Sequence, residues 1–202
     1  MTQNEENEDD PIKIILLGNA GVGKTNLINI TMGYKFNDSE KTTTAASFSL
    51  KKLMIKQKEY KISLWDTIGQ EKLRQLTKIF YNNSKIVIYV YDITSKDSFG
   101  ALPDWIKGVD EQIGKEYIKG LVANKSDLYF TEEVKTEEGQ EFANNIKAKF
   151  LLFSAKMDDP KKFEEFLLEL VEEFLSKRKN DGKRKFTLSS QKSEDNAKRK
   201  CC

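Results

Sequence analysis

The chain has 202 residues, 38% of them hydrophobic and 33% charged, enough for one domain with a full core and too few for two. The formal charge of +2 says little as a total, but its distribution is uneven. Glu5, Glu6, Glu8, Asp9 and Asp10 crowd the first ten residues, while Lys198, Arg199 and Lys200 close a basic C-terminal stretch. Blocks of charge read as solvated tails, here an acidic segment 1–10 and a basic one from about 177. The two cysteines, Cys201 and Cys202, are neighbours and cannot staple a fold, which excludes dependence on an oxidising compartment. The acidic N-terminus lacks a leader pattern, and no apolar run approaches the roughly 20 residues that span a bilayer. The expectation is a protein of the cytosol and of the membrane faces that border it, with nothing that points to nucleic acid.

Ile12-Lys13-Ile14-Ile15-Leu16-Leu17 reads as a buried strand, followed by a glycine-rich turn and a helix starting near Gly23. Residues 47–56 and 59–65 read as an antiparallel hairpin turning at Gln57-Lys58. A helical stretch over 71–80 follows, then a strand over 85–91. Residues 98–113 have helical spacing, but Pro103 predicts a late start or a kink. Strands over 120–123 and 150–153 flank a helix over 136–147. Asp159 and Pro160 then form a helix start, and Phe163, Phe166, Leu167, Leu170, Val171, Phe174 and Leu175 make one apolar stripe. Strands alternating with helices predict a mostly parallel sheet covered on both faces, with ligands beyond the carboxyl ends of its strands.

Three motifs fall at those ends. Gly18-Asn19-Ala20-Gly21-Val22-Gly23-Lys24-Thr25 fits G-x-x-x-x-G-K-[ST] between a strand and a helix. Gly18, Ala20, Gly21, Val22, Gly23, Lys24, Thr25 and Asn26 are the phosphate candidates, with backbone N–H groups and a helix dipole facing the anion. Lys24 would bridge two phosphates and the Thr25 hydroxyl would ligate Mg²⁺. The loop alone leaves base and reaction open, since kinases and ATPases share it. Asn124-Lys125-Ser126-Asp127 and Ser154-Ala155-Lys156 follow the next two strands. The Asp127 carboxylate can accept from N1–H and the exocyclic amine of guanine; adenine would leave it unpaired, a costly buried charge. The Lys125 stem would cover one face of the base, and the Ala155 N–H would donate to O6. In Asp66-Thr67-Ile68-Gly69-Gln70, Asp66 would hold Mg²⁺ through a water, the Gly69 N–H would meet the γ-phosphate, and Gln70 would orient the attacking water.

These residues resemble the Ras superfamily, and within it the Rab family, from about residue 12 to 175. Rab-like stretches include Lys61-Ile62-Ser63-Leu64-Trp65, Leu73-Arg74-Gln75-Leu76-Thr77, Phe80-Tyr81-Asn82 and Tyr91-Asp92-Ile93-Thr94. The resemblance implies an α/β P-loop NTPase G domain over 11–176, a six-stranded, mostly parallel sheet with one antiparallel strand, flanked by about five helices. It implies a slow GTPase with GTP or GDP and Mg²⁺ bound, a membrane-anchored switch in vesicle trafficking. Gln70 and Lys24 would be its catalytic residues. Phe36 would stack on the base. Thr42 and Thr44 flank Thr43, so sequence leaves that register open, and the resemblance puts the switch I ligand of Mg²⁺ and γ-phosphate at Thr43. Implied partners are effectors, an exchange factor, an activating protein, a prenylation escort and a GDP-dissociation inhibitor.

Some residues depart from the family pattern. Ile68 stands where Ala is usual, so either it crowds the approach to the γ-phosphate, leaving a GTP-binding scaffold with very slow hydrolysis, or switch II absorbs it. Ala45 and Thr44 replace the usual Gly and Ile after and within switch I. No arginine lies between Tyr34 and Thr43 and the chain has no histidine, so an activating protein should supply an arginine in trans, worth roughly 10³–10⁵-fold in this class. The terminal Cys201-Cys202 is not a C-a-a-X box; similarity to Rab proteins implies lipid on both cysteines, and two chains anchor stably where one does not.

Overall fold

The structure is a computed structural model that describes residues 10–39, 43, 45–67 and 78–198, with side chains of the last helix described as far as Lys179. Six strands form one sheet: β1 (Ile12–Leu17), β2 (Ser47–Ile55), β3 (Lys58–Asp66), β4 (Ile86–Asp92), β5 (Ile118–Asn124) and β6 (Lys149–Leu152). Their order is β2-β3-β1-β4-β5-β6, with β2 antiparallel to β3 and every other pairing parallel. Five α-helices are described: α1 (Lys24–Thr31), α2 (Lys96–Gly100), α3 (Leu102–Ile113), α4 (Thr136–Asn145) and α5 (Pro160–Lys198). The expected sheet, with its single antiparallel strand, is the one observed.

Side chains alternate across a strand, so each central strand feeds two cores. Ile14 and Leu16 of β1 pack with Leu27 of α1 and with Phe163, Leu167 and Leu170 of α5. Ile15 and Leu17 go to the other face, with Trp105 and Val109 of α3 and Ala143 of α4. This two-sided burial explains why β1 and β4 are near-continuous apolar runs. The chain leaves β1 toward β3 on one side and crosses to β4 on the other. The strand order therefore reverses at β1, and the crevice for a ligand opens at its carboxyl end.

Several boundaries differ from the sequence reading. The hairpin turns at Lys56-Gln57, one residue early, because both adopt left-handed backbone with φ 48° and 66°, the two-residue turn that matches strand twist. The stretch 98–113 is two helices, broken at Ala101 two residues before Pro103, with Ser95 capping the first through the Ser98 N–H at 3.2 Å. The apolar stripe of α5 ends at Leu175, but its helical backbone runs on to Lys198, since backbone hydrogen bonding needs no stripe. Asp159 Oδ1 accepts from the Lys161 N–H at 3.0 Å, as expected of a residue at that helix start. No helix among the described residues is long and apolar enough to cross a membrane.

One packing conflict predicts a measurable outcome. The Tyr91 hydroxyl is buried without a hydrogen-bond partner among the described residues, and a Cβ on Gly139 would stand 2.2 Å from it. Gly139→Ala should lower stability by about 2 kcal/mol despite the better helix propensity of alanine. Tyr91→Phe should be neutral or stabilising and should suppress the Gly139→Ala loss, both read by urea denaturation.

Candidate nucleotide-binding site

The loop between β1 and α1 is shaped by glycines with positive φ at 18, 21 and 23. Two of them are also forced by proximity. A Cβ on Gly18 would meet the Val90 carbonyl at 2.1 Å, and one on Gly23 would meet Asn124 Nδ2 at 2.3 Å. Gly23 caps α1 without a side-chain hydrogen bond, and the first turn holds no acidic residue, so the positive end of the helix faces the crevice uncompensated.

Lys24 opens that helix and is 5% exposed. Its ammonium donates to the Gly18 and Asn19 carbonyls, each at 2.9 Å. Burial pushes its pKa down to about 8, against the attraction of Asp66. Beside it three expected metal-site residues converge from separate segments. The Thr25 hydroxyl donates to Asp66 Oδ2 at 2.7 Å, lies 2.9 Å from Thr43 Oγ1, and Thr43 in turn lies 3.3 Å from the same carboxylate. Asp66 Oδ1 is buried with no hydrogen-bond partner among the described residues, and burial raises the Asp66 pKa despite its hydrogen bonds. A carboxylate with one oxygen on two hydroxyls and the other unpartnered is an all-oxygen donor set suited to a small hard cation such as Mg²⁺, not to a softer metal. No cluster of three or more acidic, cysteine or histidine side chains competes for a metal among the described residues.

At the other end of the crevice two loops face each other. Asn124 joins them: its Nδ2 donates to the Val22 carbonyl at 2.7 Å and its Oδ1 accepts from the Ala155 N–H at 3.2 Å. Asp127 Oδ1 accepts from the Ser154 hydroxyl, which itself accepts from the N–H groups of Lys156 and Met157. Phe36 is held by a double amide contact, in which Asn26 Nδ2 donates to the Asn37 carbonyl and Asn26 Oδ1 accepts from the Asn37 N–H, at 3.0 and 3.1 Å. Lys156 reaches across to Asp38 at 3.0 Å and over the Phe36 ring.

Together these residues enclose a cleft of about 380 Å³, lined at one end by Gly21, Lys24, Thr25 and Thr43 and at the other by Phe36, Lys125, Asp127 and Lys156. Ala20, Gly23, Asn26, Asn124 and Ala155 also line it. Four expected site residues do not: Gly18, Val22 and Ser154 are buried behind the wall, and Asp66 meets Thr25 and Thr43 without lining the cleft itself. Gly69 and Gln70, with Ile68, lie outside the described residues, as do Cys201 and Cys202. Asn37, Asp38 and Leu128 line the cleft and were not foreseen. The hydrophobic Leu128 directly after Asp127 was the one available signal.

A model of the Ras family matches residues 13–176. Rab-21 from Homo sapiens is 38% identical over 179 residues, covering 89% of this chain and 79% of that protein, and Rab-21 from Bos taurus is equally similar. Rab-12 from Mus musculus is 34% identical, over 84% of this chain and 69% of that protein. The chain is a Rab-family small GTPase. It is thus a guanine-nucleotide switch that hydrolyses GTP and serves vesicle trafficking. Ras-family GTPases bind GTP and GDP, generally with Mg²⁺, and the Rab family implies effectors, exchange factors, activating proteins and a dissociation inhibitor as kinds of partner.

The depressed pKa of Lys24 gives this Rab protein a proton signature. A base with a folded pKa below its ordinary 10.5 destabilises the fold while charged; that penalty is relieved as pH rises from about 8 toward 10.5, so stability gained from this group grows across that window. A phosphate dianion restores the charged form. GDP binding with Mg²⁺ removed by EDTA should then take up protons at pH 8, where the phosphates of GDP are already ionised, and the uptake through Lys24 should shrink toward pH 6.5, where the lysine is already charged. Calorimetry in two buffers of different ionisation enthalpy measures it, and proton release through Lys24 at pH 8 would refute the assignment.

Proposed function

We propose that the G domain spans 11–176 and holds its nucleotide along the cleft, with β- and γ-phosphates against Lys24 and the loop 18–25. Guanine is read by Asp127 and the Ala155 N–H, between Phe36 and the Lys125 stem. Mg²⁺ would be held by the Thr25 and Thr43 hydroxyls, with Asp66 through a water, and would offset phosphate charge. The observation that carries this reading is the Thr25–Thr43–Asp66 cluster, in which both hydroxyls meet Asp66 Oδ2 and the buried Oδ1 has no partner among the described residues; Thr25 and Thr43 line one end of a cleft whose other end bears Asp127. Lys24 neutralises charge that builds on the phosphates, and Gln70 orients the attacking water. Thr43 is the sensing residue: its hydroxyl can meet a metal and a γ-phosphate together, so loss of that phosphate removes a contact that orders switch I.

Effectors of this switch would meet the aromatic row beside switch I. Phe48, 55% exposed, stacks on Trp65 with ring centroids 4.9 Å apart, and Phe80 lies 6.0 Å beyond. Residues 177–202 would form the basic tail, with geranylgeranyl groups on Cys201 and Cys202 anchoring the protein to the cytosolic face of an internal membrane. Each basic residue near an anionic leaflet would add about 1 kcal/mol.

Asp127→Asn should move preference from guanine toward xanthine nucleotides, read by competition against a labelled GDP; retained guanine preference would sink the base assignment. Single-turnover hydrolysis should be slow, and comparison with Ile68→Ala measures what Ile68 costs. A gain of tenfold or more would favour the slow-hydrolysis scaffold, and a gain within twofold would leave this protein an ordinary member of its class.

A further inference from the structure

Asp127 can read guanine only if no ammonium claims its carboxylate first, and two lysines line the same end of the cleft, Lys125 and Lys156. Each is engaged elsewhere. Lys156 Nζ lies 3.0 Å from Asp38 Oδ1, but both side chains are well exposed, at 46% and 70%, so salt screens that pair. Lys125 Nζ lies 2.6 Å from Asp92 Oδ2, and the Asp92 side chain is only 11% exposed. That pair is short, partly desolvated and much less open to screening.

Asp92 is itself held from several sides. Its Oδ1 accepts from the Thr94 N–H at 2.9 Å and the Thr94 hydroxyl at 2.7 Å, and its own N–H donates to Ser98 Oγ at 3.0 Å. It is the last residue of β4, paired in register with Asn124, the last of β5. Lys125 follows with left-handed backbone, φ 65°, fixed by the Leu128 N–H on its carbonyl at 2.9 Å. The carboxylate therefore sits at a rigid point, and the lysine leaves the sheet at a defined angle toward it. A lysine has four flexible carbons. Without Asp92 nothing among the described contacts would keep its ammonium from Asp127, two residues along the same wall.

We propose that Asp92 is a positioning residue for guanine specificity: it pins the Lys125 ammonium at the end of β4 and so keeps the Asp127 carboxylate free for the base. The proposal rests on the base assignment made above. Asp92 touches no substrate. It acts through Lys125, and removing it converts a base-covering stem into a competitor for the base's own acceptor.

GDP and inosine diphosphate test this, because they differ only in the C2 amino group that Asp127 alone reads. Their affinity ratio measures how available that carboxylate is. Asp92→Asn keeps an oxygen acceptor for Thr94 and removes the charge; the ratio should fall about tenfold or more. Asp92→Asn with Lys125→Met should restore it, since no ammonium remains to compete. Lys125→Met alone should weaken both nucleotides by the same factor. An Asp92→Asn ratio equal to wild type, or a double variant that stays low, would overturn the proposal. Should Asp92→Asn fail to fold, Lys125→Met decides: an increased ratio means that Lys125 already competes in the native protein and overturns the idea, and equal losses support it. A wild-type protein with no preference for GDP over inosine diphosphate would remove the base assignment itself, a failure visible without any variant.

Discussion

The Asn124 side chain is the joint on which the cleft depends. One amide, 1% exposed, donates to the phosphate loop at Val22 and accepts from Ala155 on the base loop. It thereby ties two loops to the end of one central strand. Neither bond is strong in net terms, roughly 1 kcal/mol each. Their position is what matters: the Gly23 backbone passes so close to this amide that only glycine fits there. The strand fixes the amide, the amide fixes the glycine loop, and the loop aims the start of α1 into the cleft.

Around that joint the charges are arranged in matched sets. Lys24 is buried where a phosphate would need it, and Asp66 is buried where a cation would. Each is disfavoured alone, and the shifts show it: the lysine is pushed toward neutral and the carboxylate toward protonated. Residues that oppose the stability of the fold by themselves are what gives a ligand its affinity, since binding relieves both. The same logic separates the lysines at the base end, each claimed by its own carboxylate, from the one carboxylate that must stay unclaimed.

Much of this was legible in the sequence, and the exceptions have physical causes. Continuous apolar runs at β1 and β4 announce strands buried on both faces, and G-x-x-x-x-G-K-T between strand and helix needs no tertiary information. Thr43 was different. Three consecutive threonines offer the same hydroxyl, and the closure of residue 43 onto Thr25 and Asp66 depends on a strand end 23 residues away, which no local pattern reports. Asp92 belongs to a family-like string, but its partner follows the end of the neighbouring strand, 33 positions along the chain, and no local pattern reports such a pair. The stripe of α5 predicted its packed part and not its length, because the residues past Leu175 have helical backbone without a buried face.

The double amide contact between Asn26 and Asn37 has a mechanical meaning. Asn26 sits one residue after Thr25 and two after Lys24 on the first turn of α1, while Asn37 follows Phe36, which lines the far end of the cleft. The two ends of the cleft are therefore joined by a single lever. A pull on residues 36–38 would be carried through this one contact to the first turn of α1, so the two ends of the cleft would move together rather than separately.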